Sequence, residues 1–177
     1  MSSITDQLIA YAQEKRLSAQ TLQRWQAWPE NDQAAFFPIA NALQLNENQL
    51  RDFLDWLEEI TVRDGNNVSE VLAGSEIQHL LHTKLSRSDK LKTLKAALRK
   101  IRYPRLSQLE DELRAAIKAL DLGDRVRVSF PPALEGDEIT FEIKARNIEE
   151  VRNSLALLRQ KCEDGSLQRA FDVLDEV

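Results

Sequence analysis

Leu122-Gly123-Asp124-Arg125-Val126-Arg127-Val128-Ser129-Phe130 decides how the chain is read, because here the hydrophobic pattern changes period. Val126, Val128 and Phe130 alternate with Arg125, Arg127 and Ser129, so apolar side chains fall on one face and polar ones on the other, as in a half-buried strand. Pro131-Pro132 stops the strand, since proline has no N–H to give a ladder. After the Glu135-Gly136-Asp137 turn, Ile139, Phe141 and Ile143 alternate with Thr140, Glu142 and Lys144 in a second strand. Upstream, Ser107 and Glu110 have the spacing of a capping box, opening a helix with Leu109, Leu113, Ile117 and Leu120 on one face. Downstream, Asn147 caps a helix with Glu150 at its third position, and Ile148, Val151, Leu155 and Leu158 form its buried stripe. The order is helix, strand, strand, helix.

A two-stranded hairpin is marginal alone and leaves two backbone edges unpaired. The flanking sequence offers helices and no third strand, so pairing with the same hairpin of a second chain into a four-stranded sheet is the economical solution. On that reading Val126, Val128, Phe130, Ile139, Phe141 and Ile143 line the shared sheet, and Val151, Leu155 and Leu158 complete the homodimer interface. The alternative is a unit closed by the chain's own N-terminal helices.

Outward from this module the pattern is helical. Helices are expected at residues 4–15, 19–28, 32–43 and 47–63, with capping boxes at Asn46/Gln49 and Asn67/Glu70. Leu22, Trp25, Trp28, Phe36, Phe37, Leu43, Leu50, Phe53, Leu54 and Leu57 give them a core. From residue 86 to 102, Leu91, Leu94, Leu98 and Ile101 make an apolar stripe at spacings of three and four, and Pro104 ends the helix. The expectation is an α+β fold, mainly α. It comprises a helical domain over residues 1–73, a basic helical linker over 74–106, and an αββα dimerisation domain with a C-terminal helix over 107–177.

The 177 residues carry a net charge of −5, which taken as an average argues against nucleic acid. The average hides a cluster. Lys84, Arg87, Lys90, Lys92, Lys95, Arg99, Lys100, Arg102 and Arg105 face only Asp89 between residues 83 and 105, a local charge of +8 that leaves −13 on the rest. Lys92, Lys95 and Arg99 fall at i, i+3 and i+7, so they form one row. A solvated face is the usual fate of such a run; its density, with Tyr103 beside Arg102 and Arg105, points instead to phosphate contact without sequence preference. If about six of these cations neutralise phosphates, log affinity falls with log salt at a slope near −5.

The stretch from Glu112-Leu113 to Leu158 resembles the C-terminal dimerisation module of ParB-type chromosome and plasmid partition proteins. It does so in the helix leading into Leu122–Val128, in the Gly-containing turn before Glu138-Ile139-Thr140-Phe141-Glu142-Ile143, and in the helix opening with Asn147-Ile148-Glu149-Glu150. A second stretch is similar to the later part of the family's helical DNA-binding domain: Lys15-Arg16-Leu17-Ser18, the turn Trp28-Pro29-Glu30-Asn31-Asp32-Gln33, and the helix from Leu45 to Ile60. The resemblance implies a homodimer with a shared sheet, DNA contact without sequence preference, nucleoid association, and a partition ATPase as protein partner. The family's Gly-Glu-Arg-Arg-type motif does not occur, and its better-known helix-turn-helix would precede these residues, so neither CTP binding nor operator reading is implied for them. The stretch is therefore expected to be part of a longer chain, a split gene product or a reduced paralogue.

Other constellations read as structural. Ile39 to Phe53 has the apolar spacing of a helix-turn-helix with Gln44 where Gly is usual, but Asp52, Asp55, Glu58 and Glu59 on the second helix would repel phosphates, so an ordinary helical hairpin is expected. His79 and His82 share a helix face with only Glu76 near, which favours two exposed histidines over a metal site. Cys162, the one cysteine, excludes an internal disulfide and fits a reducing compartment. No catalytic triad or Gly-rich phosphate loop is visible, so no enzyme, catalytic residue, metal or cofactor is expected. No apolar run approaches the roughly 20 residues needed to cross a bilayer, and the start lacks a basic region followed by an apolar one, so a cytoplasmic location is expected. The second functional reading is a protein-interaction adapter whose helical domain recruits a partner without DNA. A third is an accessory subunit of an enzyme.

Overall fold

The computed structural model describes residues 3–176, among which ten α-helices accompany one two-stranded antiparallel sheet, an α+β fold that is mainly α. The chain divides into two compact units, Met1–Arg102 and Tyr103–Val177.

The first unit contains α1 (Ile4–Lys15), α2 (Ala19–Gln26), α3 (Glu30–Leu43), α4 (Glu47–Asp64), α5 (Val68–Leu72), α6 (Ser75–His82) and α7 (Arg87–Arg102). Local chemistry sets the starts. Asn46 accepts from the Gln49 N–H at 2.9 Å while the Gln49 side chain accepts from the Asn46 N–H at 3.2 Å, and Glu70 reaches back to the Asn67 N–H at 2.8 Å. Each such cap is worth about 1 kcal/mol. The turn between α3 and α4 places Gln44 at φ 50°, a left-handed position that Gly would take without strain. The Gln44 side chain compensates by donating to the Asn41 carbonyl at 2.7 Å.

Trp25, Phe36 and Phe53 are fully buried at the centre of this unit, with ring centroids 5.4 Å apart for Trp25 and Phe36 and 5.9 Å for Phe36 and Phe53. The same core takes in Ile77 of α6 and Leu94 and Leu98 of α7. Residues expected to form a linker thus supply a wall of the first unit, because a stripe of four large apolar residues gains more by burial than a solvated tether could, at about 1.5–3 kcal/mol for each fully buried side chain.

The second unit contains α8 (Pro104–Ala119), β1 (Val126–Ser129), a 3₁₀ turn (Pro132–Leu134), β2 (Thr140–Ile143), α9 (Ile148–Glu163) and α10 (Gln168–Leu174). One expectation is corrected here: Ser107 and Glu110 do not cap α8 but lie buried within it. Pro104 takes the first helical position, where its fixed φ suits the helix and its missing N–H costs nothing, and the first turn closes with Ser107 N–H donating to the Tyr103 carbonyl at 2.9 Å.

The strands pair Val126 with Ile143, Arg127 with Glu142, Val128 with Phe141 and Ser129 with Thr140. Lys144 N–H donates to the Arg125 carbonyl at 2.8 Å, which fixes the alternation of the ladder. Residues 127 and 142 therefore exchange hydrogen bonds, while the backbone groups of Val126, Val128, Phe141 and Ile143 face the outer edges. Val126, Val128, Phe141 and Ile143 cluster with Leu120, Leu122, Leu157 and Leu158. Phe130 and Ile139 instead pack with Leu109, Leu113 and Leu174, because the strand ends at Ser129 ahead of the two prolines. Among the described residues no helix is long and apolar enough to cross a membrane.

Candidate nucleic-acid interface

Helix α7 turns Leu94, Ala97 and Leu98 into the core, which carries its cations to the flanks and outer face. Lys84 in the α6–α7 connection, Arg87 in the first turn of α7, and Lys92 are exposed, and no carboxylate is paired with them among the described residues. Lys90 Nζ donates to the Leu81 carbonyl at 2.8 Å, near the C-terminal end of α6 where carbonyls lack helical partners. Arg99 is half-buried, Lys100 exposed, and Arg105, in the second unit, reaches the Glu176 carbonyl at 3.5 Å.

Among the expected phosphate contacts, Lys95 and Arg102 are engaged by carboxylates of α4. Lys95 Nζ pairs with Asp52 at 2.9 Å and lies 5.4 Å from the Trp56 ring centroid. Arg102 pairs with Glu59, its Nε donating at 2.7 Å. The row read as Lys92, Lys95 and Arg99 is thus split, with Lys92 outward and Lys95 turned toward α4.

Asp55 and Glu58 of the same helix are held by α2 and the residues after it. Arg24 of α2 donates through Nη2 to Glu58 at 2.6 Å and through Nη1 to Asp55 at 2.5 Å, and the bonds to Glu58 foremost raise the basicity of its guanidinium. Trp28 Nε1 also donates to Glu58, at 2.8 Å. All four acids expected to repel phosphates are therefore paired inside the first unit. The signal was present in the sequence as two helical rows of opposite sign, Asp52, Asp55 and Glu59 against Lys95, Arg99 and Arg102, at spacings of three, four and seven. These pairs are partly exposed, so each contributes about 0–1 kcal/mol and yields readily to a competing anion.

At the N-terminus of α4, burial pushes the Glu47 carboxyl up, but hydrogen bonds outweigh it and hold the group below the usual range. They come from the Thr21 hydroxyl at 2.6 Å, the Ser18 hydroxyl at 2.9 Å and the Ser18 N–H at 3.1 Å, with Arg51 adding charge. The start of this helix is thereby occupied by its own neighbours and offers no open anion site.

On the C-terminal unit, Val126 is buried, and Val128, Phe141, Ile143, Val151 and Leu158 are half-buried. Phe130 lies 5.8 Å from the Arg114 guanidinium and, with Ile139, belongs to the cluster of α8 and α10, away from the sheet it was expected to line. Leu155 is 53% exposed and Ile148 67% exposed, seven residues apart and so on one face of α9. Cys162, a further seven residues along, is exposed as a free thiol. His79 and His82 are exposed in the last turn of α6. No family model, curated protein or solved structure matches the chain.

Proposed function

We propose that the chain acts as a homodimeric, DNA-associated protein of the partition type, the C-terminal unit joining two copies and the basic helix meeting phosphate backbones. The observation that carries the reading is the isolated hairpin: its outer edges bond to no other strand among the described residues, and α9 beside it keeps Ile148 and Leu155 in the open. Strand edges and an exposed apolar row are what a twofold partner would cover. DNA contact draws on Lys84, Arg87 and Lys92, with Lys95 and Arg102 joining if phosphate displaces Asp52 and Glu59.

Titration of a fluorescein-labelled random duplex across a salt series tests this. Lys84, Arg87 and Lys92 alone give a slope of log affinity on log salt of about −3, and release of Lys95 and Arg102 takes it to about −4 to −5. A slope near zero removes the DNA association.

One observation favours a second reading. The engagement of Lys95 and Arg102 within the fold reduces the charge available to phosphates and supports an adapter whose helical unit recruits a protein instead.

A further inference from the structure

Where the C-terminal half of α3 meets the α6–α7 connection, the first unit holds a groove of about 350 Å³. Pro38, Ile39, Ala42 and Leu43 form one wall, spanning little more than a turn of α3. Leu81 and Leu85 form the other, and Leu85 remains 40% exposed although apolar side chains lie beside it. Arg87 and Lys90 stand on the rim. The bond from Lys90 to the Leu81 carbonyl fixes its ammonium there, while Arg87 has no carboxylate partner among the described residues.

Two features together define the occupant. A phosphate backbone would use the cations and have no need of the apolar floor; a purely aliphatic ligand would use the floor and leave the cations unanswered. An amphipathic peptide with an apolar side chain and an acid one turn away answers both, the helix-in-groove mode of recognition. The volume lies at the low end for a ligand pocket and suits one or two anchoring side chains. The chain's net charge of −5 makes a cationic rim here a local feature and not part of a general positive field.

We propose that this groove docks a short acidic, amphipathic segment of a partner protein, with an apolar side chain entering between Pro38 and Leu85 and a carboxylate meeting Arg87. The docking shares Arg87 with the proposed DNA surface, so peptide and duplex would compete for that side chain, but it does not require that the basic helix meet DNA.

The test is selection of a random peptide library displayed on phage against the intact chain, followed by binding of fluorescein-labelled synthetic copies of the enriched peptides. Enriched peptides should share a large apolar residue with Asp or Glu three or four positions away. Leu85→Asp and Arg87→Glu, both at exposed positions and checked by circular dichroism, should each weaken binding about tenfold or more, roughly what the loss of one well-made anchoring contact produces. A peptide with its acid changed to Lys should prefer the Arg87→Glu chain to the wild type. Failure to enrich such peptides, or equal binding to the wild type and both variants, overturns the proposal. So does a result in which Arg87→Glu abolishes random-duplex binding while no peptide binding depends on it, since that assigns the arginine to nucleic acid alone.

Discussion

Asp52 Oδ2 accepts a hydrogen bond from Lys95 Nζ at 2.9 Å, so a cation at the middle of the basic helix is neutralised by the helix beside it. Arg102 and Glu59 repeat the relationship seven residues along each helix. Intramolecular carboxylates of this kind compete with phosphates for the same donors. Changing Asp52→Asn together with Glu59→Gln should raise affinity for a random duplex several-fold and steepen the salt slope by up to about 2, near 0.9 for each cation released. Anisotropy titrations at several salt concentrations check it. An affinity and a slope both unchanged would exclude Lys95 and Arg102 from phosphate contact.

The dimer reading makes a separate prediction at the other end of the chain. Phe141 stands opposite Val128 on the apolar face of the hairpin, and Leu155 is exposed on α9. Phe141→Asp should yield monomer by light scattering. Because Phe141 is half-buried within its own unit, Leu155→Asp is the cleaner variant: its position faces solvent in one copy, so it spares the fold while weakening self-association about tenfold or more. A wild-type chain that scatters as a monomer, or a Leu155→Asp chain that remains as dimeric as the wild type, would place the interface elsewhere.

Much of this architecture is legible from local pattern. The change from period 3.6 to period 2 after Leu122 marks the hairpin, and Asn46 with Gln49 and Asn67 with Glu70 mark two helix starts, because both signals depend on residues within one turn of each other. Where two local signals compete, pattern alone does not choose: Ser107 and Glu110 have capping spacing, yet Pro104 begins the helix first. Long-range pairing is harder still. The charges of α7 read as a free cationic surface because their partners, Asp52 and Glu59, lie 43 residues earlier in the chain. Phe130 and Ile139 continue the strand alternation in sequence, but the prolines after Phe130 end the ladder and release both side chains to α8 and α10.

Tyr11 ties α1 to the α3–α4 turn, its hydroxyl lying 3.0 Å from the Ala40 carbonyl and 2.9 Å from that of Leu45. Ala40 O also accepts from the Leu45 N–H, so Leu45 O is the group left short when the hydroxyl is removed, and Tyr11→Phe should cost about 1–2 kcal/mol. Burial pushes the Tyr11 hydroxyl up to about 12, against 10 in an unfolded chain. A folded pKa raised in this way gives stability that is complete below pH 10 and declines as pH rises toward 12. Wild-type protein should lose on the order of 2–3 kcal/mol across that interval from this group, and Tyr11→Phe should lose none of it. Urea midpoints measured at pH values on either side of 10 separate the two chains, and parallel curves would refute the assignment.

Leu98 is fully buried against the aromatic core of the first unit, which turns the status of the basic helix into a measurable quantity. Leu98→Ala should destabilise the unit by about 2–5 kcal/mol, through lost burial and the cavity left behind. All three tryptophans, Trp25, Trp28 and Trp56, belong to that unit, so indole fluorescence during urea unfolding reports on it alone. Lys92→Ala, on the exposed side of the same helix, should shift stability by no more than about 0.5 kcal/mol. Were residues 86–102 only a tether, both substitutions would leave the fluorescence midpoint in place. A large shift for Leu98→Ala alone means that the cations of α7 are presented on a fixed scaffold, so their spacing against a duplex is set by the helix and not by a flexible chain.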